Sequence, residues 1–160
     1  MFILSDTRTT ADVFTASFRR YREYLAEMKS GFPPSAYALA TSDWYFNFQD
    51  PRCPHDAWLE EATFAEPASG ERSEIRTTAL RIRLLGAYHD GHIELVYSRV
   101  FRYECHANEA SRGHGDWLYD EFRLSSSGQL VHEIEWSAGA RWLIEAADVE
   151  FRWAPKSPAG

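Results

Sequence analysis

Residues 116–146 read DWLYDEFRLSSSGQLVHEIEWSAGARWLIEA, in which two groups of turn residues separate three runs of alternating side chains. Alternation with a period of two is typical of β-strands, and short breaks rich in Ser and Gly are typical of hairpin loops. The stretch therefore predicts three consecutive antiparallel strands, near residues 116–125, 129–137 and 141–146.

The two breaks also predict which residues of these strands face each other. A three-residue loop at Ser126, Ser127 and Gly128, with a left-handed glycine, pairs apolar residues together, whereas a two-residue loop mixes the faces. The same test favours a three-residue loop at residues 137–139. The predicted pairs are Leu124 with Leu130, Phe122 with His132, Asp120 with Ile134, Leu118 with Trp136, Trp142 with Ile134 and Ile144 with His132.

One face of these strands is apolar except for Asp120 and His132, which occupy diagonal positions on neighbouring strands. Diagonal residues lie about 7 to 8 Å apart at the backbone, so a carboxylate and an imidazole can meet there. Two interpretations stay open: an acid and base pair, or a buried hydrogen bond that stabilises the register. Because no nucleophile or oxyanion donor can be identified, no catalytic residue is assigned.

The opposite face of the same strands is predicted to be acidic and aromatic. Glu121 would lie directly across from Glu133, which destabilises a sheet unless a cation or a partner compensates. Arg123 and Arg141 can supply cations, but aromatic side chains and carboxylates together also suit a basic protein partner. The predicted contact residues are Trp117, Tyr119, Glu121, Glu133 and Glu135, with Trp44 and Tyr45 as a second aromatic patch.

Upstream of the strands, apolar residues recur every three or four positions between residues 11 and 29. This spacing predicts one long amphipathic helix, which Gly31 and the two prolines after it would end. From residue 57 onwards the period changes to two, and the predicted fold is α+β. One long N-terminal helix (residues 11–29) packs on a bent, mainly antiparallel sheet of about seven strands (57–153) in a single domain (1–160).

The other predicted strands lie near residues 57–65, 74–88, 92–103 and 148–153. Between the second and third of these, Asp90 and Gly91 are typical of a two-residue turn. That turn predicts that Tyr88 pairs with Ile93, Gly86 with Leu95 and Leu84 with Tyr97.

Composition limits the classes of function. The chain has 160 residues, of which 44% are hydrophobic and 15% aromatic, as expected for one globular domain. Its net charge of -7 disfavours binding to nucleic acid or to anionic lipid, and favours a basic partner. Neither a membrane anchor nor a secretory signal is recognisable, so we expect a cytoplasmic protein.

The histidines and cysteines do not form a metal-binding motif. His89, His92 and His114 each lie near an aspartate or a turn glycine, and they resemble only fragments of a metal site. The two cysteines are too few for a disulfide framework or a metal clip. No metal ligand is assigned and no cofactor is predicted.

Residues 54–60 read PHDAWLE, and two strand patterns follow, Leu80-x-Ile82-x-Leu84 and Ile93-Glu94-Leu95-x-Tyr97-x-x-Val100. Over residues 53–101 the chain resembles small bacterial families that carry an H-D-A-x-(I/L) motif and are identified as immunity proteins of polymorphic toxin systems. The resemblance implies a small cytoplasmic inhibitor that covers the active site of a toxin or a neighbouring surface, and a structural role for His55 and Asp56. Residues 84–91 and 113–122 resemble a bacterial family without an assigned function.

We therefore expect a protein-binding domain, most concretely an immunity-type inhibitor of a basic toxin. Two alternatives stay open at this point. One is an acid and base or metal-dependent enzyme that uses Asp120 and His132. The other is a structural domain that forms a homodimer through the predicted aromatic face.

Overall fold

The computed structural model describes residues 1–4, 10–107 and 113–156. It confirms the α+β class, with one long helix and an antiparallel sheet. The described elements are α1 (Ala11–Glu27), α2 (Pro34–Ala40), β1 (Trp58–Ala65), β2 (Ala68–Ser69), β3 (Ile75–Arg76), β4 (Thr78–Leu85), β5 (Gly91–Glu104), β6 (Trp117–Leu124), β7 (Leu130–Trp136) and β8 (Arg141–Pro155).

The helix α1 begins after Thr10, whose hydroxyl oxygen accepts the N–H of Val13 at 3.3 Å and so satisfies one free donor of the first turn. It ends at Glu27, two residues before the predicted end, and a single 3₁₀ turn, Lys29–Gly31, leads to α2. None of the described helices has the length and apolar character needed to cross a membrane.

Six of the strands form one antiparallel sheet in the order β1-β4-β5-β8-β7-β6, and β2 pairs with β3 in a separate two-stranded sheet. The predicted strand at residues 74–88 is divided into β3 and β4. The two strands predicted at residues 141–146 and 148–153 are one continuous strand, β8, which joins the two halves of the sheet by pairing with both β5 and β7.

The sheet bends so far that its two edge strands meet at one end, which we call the closed end. There the Trp117 N–H donates to the Ala57 carbonyl at 2.9 Å, and the Asp56 N–H donates to the Trp117 carbonyl at 2.9 Å. Trp58 and Asp116 form an isolated antiparallel bridge beside them. The edges of β1 and β6 are therefore paired with each other at this end rather than left open.

Farther along β6, the helix α1 covers the strand edge. The Tyr21 hydroxyl accepts the Phe122 N–H at 2.7 Å and donates to the Phe122 carbonyl at 3.1 Å. One helical turn later, the Tyr24 hydroxyl accepts the Leu124 N–H at 2.9 Å. Two tyrosines thus take the place that a neighbouring strand would occupy, and they position the helix on the sheet.

The predicted registers of the two last hairpins are confirmed, with one exception at the start of β6. Gly128 is left-handed, with φ of 78°, and the pairs predicted from both three-residue loops are present as far as Asp120 and Ile134. The predicted pair of Leu118 with Trp136 is wrong, because Leu118 forms a β-bulge and Trp117 pairs with Trp136 instead. The bulge turns Trp117 to the face opposite from the one predicted.

The register predicted for the β4–β5 hairpin is also wrong. Leu84 pairs with Ile93 rather than with Tyr97, since the Gly86 N–H donates to the Gly91 carbonyl at 3.0 Å and encloses a four-residue loop. A side chain at Gly86 would come within 3.1 Å of the Trp153 ring, and one at Gly91 would overlap that ring. The absence of a side chain at both glycines therefore leaves room for Trp153 of β8. Because the register moves by an even number of residues, the predicted faces are retained.

Candidate functional site

The predicted contact face is mostly an interior surface. Trp117 is fully buried against Trp136, with ring centroids 5.4 Å apart, as a consequence of the bulge at Leu118. Tyr45 is also fully buried, so the prediction that these two aromatic residues face outward is wrong. Trp44 is half-buried, between Phe151 and the Arg52 guanidinium.

Glu121 is 0% exposed, and the first described residues of the chain bind its carboxylate. Its Oε2 accepts three consecutive backbone N–H groups, from Phe2 at 2.9 Å, Ile3 at 2.8 Å and Leu4 at 3.3 Å. Its Oε1 lies 2.8 Å from Arg123 Nε. The sequence predicted that Glu121 needs compensation because it lies across from Glu133, and the chain itself supplies that compensation.

The two other predicted acids of this face are paired as well. Glu121 lies directly across from Glu133, as predicted, and the Arg123 guanidinium forms ion pairs with both carboxylates. Arg141 lies 3.9 Å from Glu133 and 3.9 Å from Glu135, and it also donates to the Leu4 carbonyl at 3.1 Å. Glu121 and Glu133 therefore belong to a buried ion-pair network beneath residues 2–4, while Glu135 and Tyr119 are half-buried.

The diagonal contact predicted between Asp120 and His132 is confirmed, and it belongs to a buried network. His132 Nε2 lies 2.9 Å from Asp120 Oδ2, and the Tyr97 hydroxyl lies 2.6 Å from His132 Nδ1. The Tyr45 hydroxyl donates to Asp120 Oδ2 at 2.7 Å, and the Trp117 indole N–H donates to Oδ1 at 3.0 Å. Every polar side-chain atom of the pair has a partner and both residues are buried, so a substrate has no access to them.

The candidate histidines contact different parts of the molecule. His92 lies 3.4 Å from Glu60, while His114 packs against Trp136 and Trp142, where desolvation lowers its pKa. His89 contacts Trp58. Within the described ranges, no three His, Cys, Asp or Glu side chains come together as a metal site would require.

Three large aromatic side chains are exposed together around the closed end. Phe48, Trp58 and Tyr88 are 40%, 49% and 55% exposed. The Tyr88 hydroxyl donates to the Phe48 carbonyl at 3.1 Å, which joins the β4–β5 loop to the segment before β1. Trp58 packs edge-on against His89 of the same loop, with ring centroids 4.6 Å apart. Exposed aromatic side chains grouped at one end of a protein often mark interaction sites.

Half-buried rings support this surface from below. The His55 ring stacks on Phe48 at 4.0 Å and lies 5.2 Å from the ring of Tyr119, one of the predicted contact residues. His55 Nδ1 lies 2.5 Å from the Leu118 carbonyl, which holds the H-D-A segment against β6 at its bulge. The structural role expected for His55 is therefore visible in its contacts.

Acidic side chains surround the aromatic residues. Asp56 and Asp90 are exposed and Asp116 is half-exposed. Asp56 lies 3.6 Å from His55 Nε2, and no arginine or lysine among the described residues forms an ion pair with any of the three. By contrast, Glu61 and Glu150, two acids on the outer face of the sheet, each form an ion pair with an arginine. We call Phe48, Trp58 and Tyr88 with Asp56, Asp90 and Asp116 the closed-end patch.

Comparison of the chain with protein-family models, with curated proteins and with solved structures finds no match.

Two short motifs of the sequence contain a signal for the closed-end patch. Trp58 follows Asp56 in the H-D-A-W run, and Tyr88 precedes Asp90 in the Y-H-D-G run, so each motif places an aromatic residue beside an acid. What the pattern does not contain is the bend of the sheet, which brings the two motifs and Phe48 to one end.

Proposed function

We propose that the chain is a protein-binding domain, that it contacts its partner through the closed-end patch, and that the partner is a basic protein. The observation that carries this proposal is the grouping of three exposed aromatic side chains at the closed end, which the Tyr88–Phe48 hydrogen bond and the Trp58–His89 contact hold in place. They are bordered by acids that form no ion pair with a described arginine or lysine. Tryptophan and tyrosine contribute most to binding energy at protein interfaces, while unpaired charges at the rim direct association.

We propose more specifically that the domain acts as an immunity-type inhibitor of a basic toxin. Two features support it: the patch contains Asp56 and Trp58 of the run that resembles immunity proteins, and the chain carries a net charge of -7. Binding through an end of the sheet would cover a functional surface of the toxin without a catalytic step in this chain.

The test begins with the product of the neighbouring gene, which is co-expressed with this chain and then titrated against it. We expect rescue of growth and a complex whose dissociation constant rises about 30-fold or more in Trp58→Ala and in Tyr88→Ala. Asp56→Asn with Asp90→Asn should mainly slow association and reduce its dependence on salt.

Tyr103→Ala is the matched control, because Tyr103 is 49% exposed, as Trp58 is, but lies at the far end of β5. Unchanged affinity in Trp58→Ala and Tyr88→Ala would contradict the proposed surface, and failure of the neighbouring product to bind would contradict the immunity role. A mass that depends on concentration and falls in Trp58→Ala would identify a second copy of the chain as the occupant, against the basic partner.

A further inference from the structure

An open groove runs along α1 beside the closed-end patch, with which it shares only Phe48. It has a volume of about 450 Å³ and lies between α1 and the segment of residues 46–48. This volume is within the range of about 300 to 1,000 Å³ that is typical of small-molecule sites. We call it the helix groove.

The floor of the helix groove is built from phenylalanine rings. Phe14 and Phe18 are in edge-on contact at 4.9 Å, and Phe18 contacts Phe46 edge-on at 5.2 Å. All three rings are half-buried, so part of each remains exposed toward the groove, and Phe48 borders it at one end. Rings held in this way offer flat apolar surface to a ligand at little entropic cost.

The rim of the groove is cationic. Arg19 and Arg22 line it from α1, and no carboxylate of the described residues forms an ion pair with either of them. Most other arginines of the described chain are paired, as Arg52 is with Asp50 at 2.8 Å. Two guanidinium groups that have no carboxylate partner among the described residues thus lie beside an aromatic floor, in contrast to the acidic character of the whole protein.

From these two features we infer that the helix groove binds a small organic anion with a flat apolar body, such as an aromatic carboxylate. The guanidinium groups recognise the carboxylate by charge-assisted hydrogen bonds, which arginine makes in a planar, bidentate geometry. The phenylalanine floor packs against the apolar body. Neither an inorganic anion nor a neutral aromatic molecule satisfies both parts of the groove.

Calorimetric titration with three probes tests this inference on the whole chain. 2-Naphthoate carries both features, 2-naphthalenemethanol lacks the charge, and inorganic phosphate lacks the apolar body. We expect 2-naphthoate to bind at least tenfold more tightly than 2-naphthalenemethanol, and phosphate to give no measurable binding in the same range.

The double variant Arg19→Gln with Arg22→Gln should bring the affinity for 2-naphthoate down to that for 2-naphthalenemethanol. Arg20→Gln is the matched control, since Arg20 is on the same helix but does not line the groove, and it should bind as the unmodified chain does. Circular dichroism establishes that both variants keep the fold. Equal affinity for the charged and neutral probes, or binding of 2-naphthoate that survives the double variant, would overturn the inference. Neither arginine belongs to the closed-end patch, so this result is separable from the test of partner binding.

Discussion

Glu121 lies across from another acid, and its contacts compensate for the repulsion between the two carboxylates. The carboxylate lies across from Glu133, yet the two acids share Arg123 between them. The second oxygen of Glu121 is bound by three consecutive backbone N–H groups of residues 2–4. Backbone donors arranged around an anion stabilise its charge without a second cation, so Glu121 can remain buried.

Replacement of this buried acid should be costly. Glu121→Gln keeps the shape but removes the charge, and its amide NH2 must then face either the backbone N–H groups or the Arg123 guanidinium, all of which are donors. We expect a loss of about 2 to 4 kcal/mol in the free energy of unfolding, measured by urea denaturation. Glu150→Gln is the control, because Glu150 is exposed and its pairing with Arg152 is a surface contact, so its effect should stay within about 0.5 kcal/mol. Equal effects in both variants would show that the N-terminal segment does not depend on Glu121.

At the scale of elements, the two tyrosines of α1 link the helix to the edge of β6. The Tyr21 hydroxyl satisfies both backbone groups of Phe122, and the Tyr24 hydroxyl satisfies the N–H of Leu124. An uncovered strand edge exposes backbone N–H and C=O groups that can pair with a strand of another chain. The helix therefore contributes hydrogen bonds as well as apolar packing, and it protects the sheet from edge-to-edge association.

The stability of the fold should depend on the Tyr21 hydroxyl, which a phenylalanine at this position removes. Tyr21→Phe leaves a buried N–H and a buried carbonyl without partners, and we expect a loss of about 2 to 4 kcal/mol in the free energy of unfolding. Amide hydrogen exchange at Phe122 should accelerate in the same variant. Tyr24→Phe removes a single, half-buried bond and should cost about 1 kcal/mol. Tyr37→Phe is the control, and a loss as large there as in Tyr21→Phe would contradict the edge-covering role.

The hairpins show which elements the sequence could predict. The β6–β7 and β7–β8 registers could be predicted from two features: a glycine at the left-handed loop position and apolar residues on one face of the strands. The bulge at Leu118 was not predictable from alternation, because a bulge changes the period at one residue and leaves the surrounding pattern intact. The β4–β5 loop depends on Trp153, a residue distant in sequence that packs against both of its glycines.

At the scale of the whole molecule, the acids that the sequence pattern assigned to a partner-binding face stabilise the fold instead. Among the acids of residues 116–150, the three predicted contact residues Glu121, Glu133 and Glu135 form internal ion pairs with Arg123 or Arg141. The pairing of the N-terminal segment with Glu121 could not be anticipated, since residues 2–4 contribute backbone groups that leave no trace in side-chain patterns. The closed-end patch likewise depends on the bend of the whole sheet, and only its two short motifs are local.

Burial of ionisable groups in the core predicts that the folded state weakens at alkaline pH. Burial raises the pKa of Tyr21, Tyr45 and Tyr97 well above the usual value for tyrosine, and for Tyr97 the Asp120 carboxylate raises it further. Burial also raises the pKa of Cys53 to about 12 and that of Cys105 to about 11. Because these pKa values are higher in the folded chain, the unfolded chain releases its protons first as the pH rises.

The stability that these groups contribute is therefore complete below their unfolded pKa values, about 8.5 for cysteine and about 10 for tyrosine, and is lost above them. We expect the free energy of unfolding in urea to begin to fall above about pH 8.5 and to fall more steeply above about pH 10, by up to about 1.4 kcal/mol per pH unit for each buried group. Tyr97→Phe removes one group and should make the decline above about pH 10 shallower by that amount. Ultraviolet absorbance of tyrosinate, recorded together with circular dichroism, checks the cause. Ionisation of all eight tyrosines without loss of the circular dichroism of the folded state would show that the buried hydroxyls do not link stability to pH.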